Sequence, residues 1–407
     1  MSVSMFVYVI QACVTVGLLV TSLLLLAYIA YLVLIPTVPT FQRYFYHFYW
    51  LKYIIAGDFD QPHRYGLRYG AALNGKVVAA DGTSLGYWHI LPLASNPIIG
   101  SEVTPSSDPE KKTKNHRQCQ FESQLAQAPL VIMYFHGQGG SREWPNRIYS
   151  YQSLQRTFPT AHLIALDCRG YGDSDGLPNS ETLVVSDAVA MWDYIVQHAP
   201  AKRIFIYGHS MGSGIATQLC RTVEQRGETA FGLCLEGAFS SMPQVIFEYR
   251  DQPFLKPVRR IPILVDLYSR TCRFQFDTGS TLPLIRCPIL LIHGREDRVI
   301  GIKFAYDMFY NLRPGNFRPA VTITTTTTTT TIPKHAHSPL VDYAEVQQAC
   351  PPEVAVGEGR VFRWPRYQKS DLVAWLLELD HADHSSAHVF GLTQQTLADF
   401  VTEINSV

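Results

Sequence analysis

Between Met5 and Pro36 the chain has no charged residue, and nowhere does it carry a Cys-x-x-Cys pair or an Asn-x-Ser/Thr sequon with a non-proline middle residue. It has no excess of either sign of charge: 34 Lys and Arg balance 34 Asp and Glu. Each absence excludes something. Zero net charge gives no global electrostatic pull toward nucleic acid or an anionic surface. The eight cysteines (Cys13, Cys119, Cys168, Cys220, Cys234, Cys272, Cys287 and Cys350) are scattered without zinc-ligand spacing, which argues against a zinc site or a dithiol redox motif. Cys168, Cys234 and Cys287 stand in or beside apolar runs, where buried free thiols are common, so the redox compartment stays open. Without a sequon, no glycosylation signal marks a lumenal face.

The uncharged stretch is the first positive feature. FVYVIQACVTVGLLVTSLLLLAYIAYLVLIP is longer than the ~20 apolar residues a bilayer core requires, so it can span with some tilt. A cleaved signal peptide would carry a basic start and a shorter apolar stretch. The reading is a transmembrane anchor at 5–36. Phe41–Tyr53 (FQRYFYHFYWLKY) follows, with Arg43 and Lys52 among the rings, and reads as an interfacial aromatic belt within a juxtamembrane segment, 37–76. The positive charges on this side of the span weakly favour a cytoplasmic domain, and the topology stays open.

The remainder, 77–407, reads as one domain. Val77–Pro92 alternates around an Asp-Gly turn, a β-hairpin signature. Residues 95–128 form a polar insertion, read as a surface or mobile loop. Apolar runs then recur at 129–137, 162–170, 203–210, 230–239, 287–297 and 372–380, interleaved with helical stretches at Glu181–His198, after Ser210 through Glu224, around FAYDMFYNL, and at Thr393–Asn405. Continuously apolar strands alternating with helices predict an α/β fold: a mostly parallel central sheet with helices on both faces. A second insertion, 314–370, holds eight consecutive threonines, Thr324–Thr331, read as a slippage-generated loop without function.

Gly208-His209-Ser210-Met211-Gly212 is a G-x-S-x-G between the strand RIFIY and the helix SGIATQLCRTV. In that context it is a nucleophile elbow. The serine sits on a sharp turn, Gly208 and Gly212 let strand and helix approach, and the helix N-terminus faces a developing oxyanion. This is the signature of the α/β-hydrolase fold. Phe135-His136-Gly137-Gln138-Gly139-Gly140 follows an earlier strand, so Gln138 is expected to supply one oxyanion-hole N–H and Met211 the other. A phosphate loop is excluded for want of a Gly-Lys-Ser/Thr ending. Asp167 to Ser174 (DCRGYGDS) is read as bracing, with Asp167 or Asp173 as minor candidates for the acid.

Serine needs a base, and the base needs an acid to orient it. In the order Ser, acid, His, Asp297 is the acid, at the end of the strand PILLIHG, with Glu296 the runner-up. The base comes from His381, His384 and His388. His381 is the first choice because it directly follows the strand LVAWLLELD. His384 is the alternative, chosen if that strand runs longer, and His388 is third. His335 and His337 lie beside the threonine tract and are poor candidates. A metal site at 381–388 lacks a third ligand. No metal or organic cofactor is needed.

FHGQGGS, ALDCRGYGDSDG, YGHSMGSGIAT, LLIHGREDRVI and the late HAD resemble the α/β-hydrolase-domain family, in its lysophosphatidylserine-lipase and monoacylglycerol-lipase subgroup. The resemblance covers about 129–313 well, the C-terminal end loosely, and the two insertions not at all. It implies one N-terminal span, an endoplasmic-reticulum or other endomembrane location, and hydrolysis of lysophospholipids or monoacylglycerols. The segment 240–286 is read as a cap over the acyl pocket, whose Arg250, Lys256, Arg259, Arg260, Arg270 and Arg273 meet a headgroup or the membrane surface, with a solvated basic helix face as the equal alternative. A depalmitoylating thioesterase and a catalytically silent membrane scaffold are the competing readings. The expected partners are a lipid ester and a membrane, with no nucleic acid.

Overall fold

The computed structural model of the chain describes residues 3–54, 57–98, 109–248, 260–313, 341, 343–355, 357–364 and 373–406. It begins with α1 (Val3–Thr37) and α2 (Pro39–His47), followed by a 3₁₀ turn at Tyr49–Tyr53. The hairpin β1 (Ala72–Val78) and β2 (Ser84–Ile90) and the helix α3 (Pro109–Ala126) come next. Strands and helices then alternate: β3 (Val131–Phe135), α4 (Pro145–Thr157), β4 (His162–Leu166), α5 (Glu181–Val196), β5 (Ile204–His209), α6 (Met211–Gln225) and β6 (Gly232–Glu236). Three short helices follow, α7 (Met242–Glu248), α8 (Pro262–Thr271) and α9 (Thr278–Thr281), before β7 (Ile289–Gly294) and α10 (Lys303–Asn311). The chain closes with α11 (Tyr343–Ala349), β8 (Glu353–Ala355), β9 (Gly359–Trp364), β10 (Ala374–Leu379) and α12 (Gly391–Asn405).

Among the described residues ten strands form one sheet in the order β1-β2-β4-β3-β5-β6-β7-β10-β9-β8. The run from β4 to β10 is parallel, and the hairpins at either end are antiparallel. Two apolar cores lie on opposite faces. One joins Met133, Ile206 and Leu235 to the helices α5, α6 and α10 through Val184, Ile215 and Phe304. The other joins Tyr134, Phe205 and Leu377 to α4 and α12 through Ile148 and Phe400. The strands read as unbroken apolar runs because both faces are covered. The chain leaves β3 for β4 on one side, then returns to β5 on the other. That reversal sets the loops after β3 and β5 side by side, where open α/β sheets form their crevice.

Four expectations change. The insertion 95–128 contains a helix, α3, pinned by Phe121 and Leu125, which are fully buried. The threonine-rich insertion contains α11 and the hairpin β8–β9, which extends the sheet beside β10. The strand β1 begins at Ala72, inside the segment read as juxtamembrane. The aromatic belt divides: Tyr46, His47 and Tyr49 are buried in the domain, while Phe41, Tyr44 and Tyr53 remain exposed. Thr324–Thr331, His335, His337, Arg250, Lys256 and Arg259 lie outside the described residues. Among the described residues one helix, Met5–Leu34 within α1, is long and apolar enough to cross a membrane.

Candidate active site

Ser210 caps α6 with φ 53° and ψ −123°. This is a positive φ that a residue with a Cβ adopts only when its surroundings impose it. Its N–H donates to the Glu236 carbonyl at 2.8 Å, which ties the turn to the end of β6. The flanking glycines are required by close approach. A Cβ on Gly212 would lie 2.2 Å from the Phe135 carbonyl oxygen, and one on Gly208 would lie 2.5 Å from the Gly212 carbonyl oxygen. Strand, elbow and helix are therefore packed backbone to backbone.

Asp297 follows β7. It is 2% exposed, and its Oδ1 accepts the N–H groups of Val299 and Ile300, both at 2.8 Å. Its Oδ2 accepts from His384 Nδ1 at 2.7 Å. His384 Nε2 stands 2.8 Å from Ser210 Oγ. Burial alone would favour the neutral acid. The hydrogen bond from His384 and the neighbouring His384 and His293 outweigh it, and hold Asp297 below the ordinary carboxylate range. With Nδ1–H committed to Asp297, Nε2 presents its lone pair to the serine hydroxyl. That is the tautomer a general base requires.

The structure brings Ser210, Asp297 and His384 together and leaves His381 outside. The correction has a physical cause. The strand β10 ends at Leu379, opposite Gly294 of β7, and a turn closed by Asp383, Ser385 and Ser386 carries the chain inward by His384. His381 points to solvent and meets Glu296 at 3.1 Å, with both side chains mostly exposed. Glu296 is thereby placed on the surface as well. His388 stacks on Tyr149 with ring centroids 5.9 Å apart. The three histidines diverge, and among the described residues no cluster of three or more metal-binding side chains forms.

Gly137 abuts the elbow: a Cβ there would lie 3.0 Å from Ser210 Cβ. Gln138 is the next residue in that loop, and Met211, directly after Ser210, is the first residue of α6. The N–H of Met211 belongs to the first helical turn, which has no partner within its own helix and carries the positive end of the helix dipole. Asp167 lies beneath the loop rather than in the triad. Its carboxylate accepts from the Arg142 backbone N–H at 2.9 Å and from the Arg142 guanidinium, and His136 Nε2 lies 2.9 Å from it. Asp173 accepts from Arg142 at 2.7 Å. Both carboxylates brace, as the sequence suggested. Burial opposes their ionisation, but Arg142 wins and lowers both.

Three positioning contacts had no signal in the sequence. His209 Nε2 donates to the His384 carbonyl at 2.7 Å and fixes the histidine loop. His293 Nε2 donates to the Ile300 carbonyl at 2.8 Å and stands 3.5 Å from Asp297. Gly237, at φ 56°, leaves room for His384, whose Cε1 a Cβ would meet at 3.2 Å. A cavity of about 830 Å³ opens beside His384, lined by Arg295, Glu296, Arg298, Val299, Asp383 and Ser385.

The sequence profile of the alpha/beta hydrolase fold matches residues 131–228, the stretch from β3 through α6. Lysophosphatidylserine lipase ABHD12 of Danio rerio is 28% identical over 56% of this chain and 56% of its own length. The Mus musculus protein of the same name is 29% identical over 60% of this chain and 56% of its own. Protein ABHD12B of Homo sapiens is 25% identical over 56% and 58%. The chain thus spans less than two thirds of the length of these relatives. On its strand order, its elbow and these matches, the chain is an α/β-hydrolase-fold protein similar in sequence to the ABHD12 lysophosphatidylserine lipases.

Proposed function

We propose that the chain is a membrane-anchored serine hydrolase that cleaves carboxylic esters of lipids through an acyl-enzyme. The observation that carries this reading is the continuous hydrogen-bonded line from Ser210 Oγ through His384 to Asp297, at 2.8 and 2.7 Å. As Ser210 Oγ attacks the ester carbonyl, its proton passes to His384 Nε2, and Asp297 stabilises the imidazolium through Nδ1–H. The oxyanion of the tetrahedral intermediate is held by the N–H groups of Gln138 and Met211. Collapse expels the alcohol, which takes the proton from Nε2. Water then repeats the sequence on the acyl-serine, releasing a fatty acid and restoring Ser210. These steps need no cofactor.

Lysophospholipids and monoacylglycerols are the proposed substrates. Three features support them: the lipase names of the relatives, the apolar helix α1, which packs on α2 and α8, and Arg295 and Arg298 in the cavity next to His384. Those arginines suit an anionic headgroup. An endomembrane location follows from the same likeness, with the domain on the cytoplasmic side as the weaker preference. The test is fluorophosphonate labelling of the full chain, with hydrolysis of a panel of lysophosphatidylserine, monoacylglycerol and a palmitoyl thioester. Labelling abolished by Ser210→Ala, with turnover of the lipid esters, is the expected result. Thioester turnover alone would replace the substrate reading. Folded protein that neither labels nor turns over any of the three would leave a silent scaffold.

A further inference from the structure

The segment that joins α1 to the domain is built into the loop beside Ser210. The Gly139 N–H donates to the His47 carbonyl at 3.1 Å. At the other end of the same residue, the buried guanidinium of Arg147 donates to the Gly139 carbonyl, and also to those of Gly137 at 3.1 Å and Ser141 at 2.6 Å. Gly139 is therefore gripped from both sides, by α4 and by the end of α2. A Cβ on it would meet Leu51 Cδ1 at 3.3 Å and Phe48 Cβ at 3.7 Å. The bond from the Gly139 N–H to His47 fixes the peptide plane on the C-terminal side of Gln138, while the bond from Arg147 to the Gly137 carbonyl fixes the plane that carries the Gln138 N–H, so Gln138 is held on both sides.

His47 is itself held. The Tyr171 hydroxyl donates to the His47 carbonyl at 2.8 Å, and His47 Nδ1 meets the same hydroxyl oxygen at 2.9 Å. The hydroxyl has one proton, and the carbonyl can only accept it. His47 Nδ1 is therefore the donor in the second bond. Phe48, in the left-handed region at φ 47°, turns the chain sharply after His47, a strained conformation sustained only by surrounding contacts. Farther along, Gln42 is bonded to both the Thr271 carbonyl and the Arg273 N–H at 2.8 Å, and Lys52 reaches the Ser174 carbonyl at 3.0 Å.

From this geometry we infer that residues 39–53 are a strap that sets the oxyanion loop, with His47 as its positioning residue. The inference rests on the hydrolase reading above. It implies that attachment to α1 and competence of the oxyanion hole are mechanically joined, because the helix that leaves the apolar span is the one that holds Gly139. Loosening the strap should cost rate and not binding, because an oxyanion donor acts on charge that exists only in the transition state.

The experiment measures kcat and KM of the full chain on a short soluble ester, p-nitrophenyl butyrate, for wild type, Ser210→Ala, His47→Ala, His47→Asn and Tyr171→Phe. Removing an oxyanion donor outright costs about 10²–10³ in kcat, so misaiming one should cost on the order of 10-fold. His47→Ala and Tyr171→Phe should lose that factor in kcat with KM within about two-fold. His47→Asn, whose side-chain N–H replaces Nδ1–H, should recover most of it. Wild-type kcat in folded His47→Ala, a change confined to KM, or no recovery in His47→Asn would overturn the strap. If His47→Ala does not fold, Tyr171→Phe against His47→Asn decides by the same criteria. Ser210-dependent turnover in wild type separates this failure from failure of the site reading. Wild type without Ser210-dependent turnover overturns both.

Discussion

Asp297→Asn is the change that tests the proposed chemistry most directly, because its effect can be worked out atom by atom. Asp297 Oδ1 faces two backbone donors, the N–H groups of Val299 and Ile300, and Oδ2 faces His384. Asparagine has one oxygen. Turning its NH₂ toward two N–H donors would leave three donors without an acceptor, so the oxygen stays on the backbone side and the NH₂ faces Nδ1. His384 must then accept at Nδ1 and carry its proton on Nε2, against the Ser210 hydroxyl, where it can no longer act as a base. The shape and the backbone hydrogen bonds survive, so the fold should persist. The wrong tautomer should lower kcat about 10⁴-fold, or about 5.5 kcal/mol at 1.36 kcal/mol per decade. The assay is kcat/KM on p-nitrophenyl butyrate, with melting temperature as the folding control and His381→Ala and His384→Ala alongside. His384→Ala should fall at least as far. His381→Ala should stay within about two-fold, since its exposed pair with Glu296 contributes under about 1 kcal/mol. The reasoning is refuted if Asp297→Asn retains more than about a tenth of wild-type kcat, or if His381→Ala falls as far as His384→Ala.

Gly212→Ala should prevent accumulation of soluble protein, or lower stability by more than about 3 kcal/mol, because its Cβ would lie 2.2 Å from the Phe135 carbonyl oxygen; expression with an unchanged melting temperature would contradict the packing. Stability should fall as pH drops below about 6.5. Burial lowers His47 to about 3 and His162 to about 4, and also lowers His89, His136, His209 and His293. These groups are neutral in the fold, so the unfolded chain takes up protons that the native state refuses, and the stability present above pH 6.5 is lost on acidification. Burial raises Glu181, Glu224, Glu378 and Asp187, which works the other way from the ordinary carboxylate range upward, so the slope is read across the ordinary imidazole range, between about pH 7 and 5.5. A melting temperature flat across that interval would count against the buried neutral histidines. Arg298→Ala should raise KM for lysophosphatidylserine by about 5-fold and leave that for monoacylglycerol within about two-fold; equal effects on both would remove the headgroup role.

The parallel strands, the elbow and Asp297 were legible because each rests on local pattern: an unbroken apolar run, or a small-residue turn between strand and helix. The histidine was not. Which of His381 and His384 turns inward depends on where β10 stops against β7, a register set by strands far apart in sequence. The helix α4 leaves no apolar stripe in the sequence because four of the seven residues it buries, Arg147, Ser150, Ser153 and Gln155, are polar. In α3 the described buried anchors are only Phe121 and Leu125, too few to show a period. The edge hairpin β8–β9 lay in a stretch dominated by its threonine tract. His47 was read with the aromatic belt, because nothing in FQRYFYHFYW separates rings that face a bilayer from rings that face a core.

The position of β10 has a consequence in time. It inserts between β7 and β9, and His384 follows it, while Ser210 is set much earlier on β5 and α6. Chain closure over such long separations is slow relative to local contacts. A partly folded chain can hold a well-formed elbow and remain chemically inert until β10 has paired. Recovery of turnover during refolding would therefore clock the completion of the sheet, later than the return of helical structure or the burial of Trp192. On the proposed hydrolase reading, such an order of assembly would keep Ser210 silent until the sheet is complete.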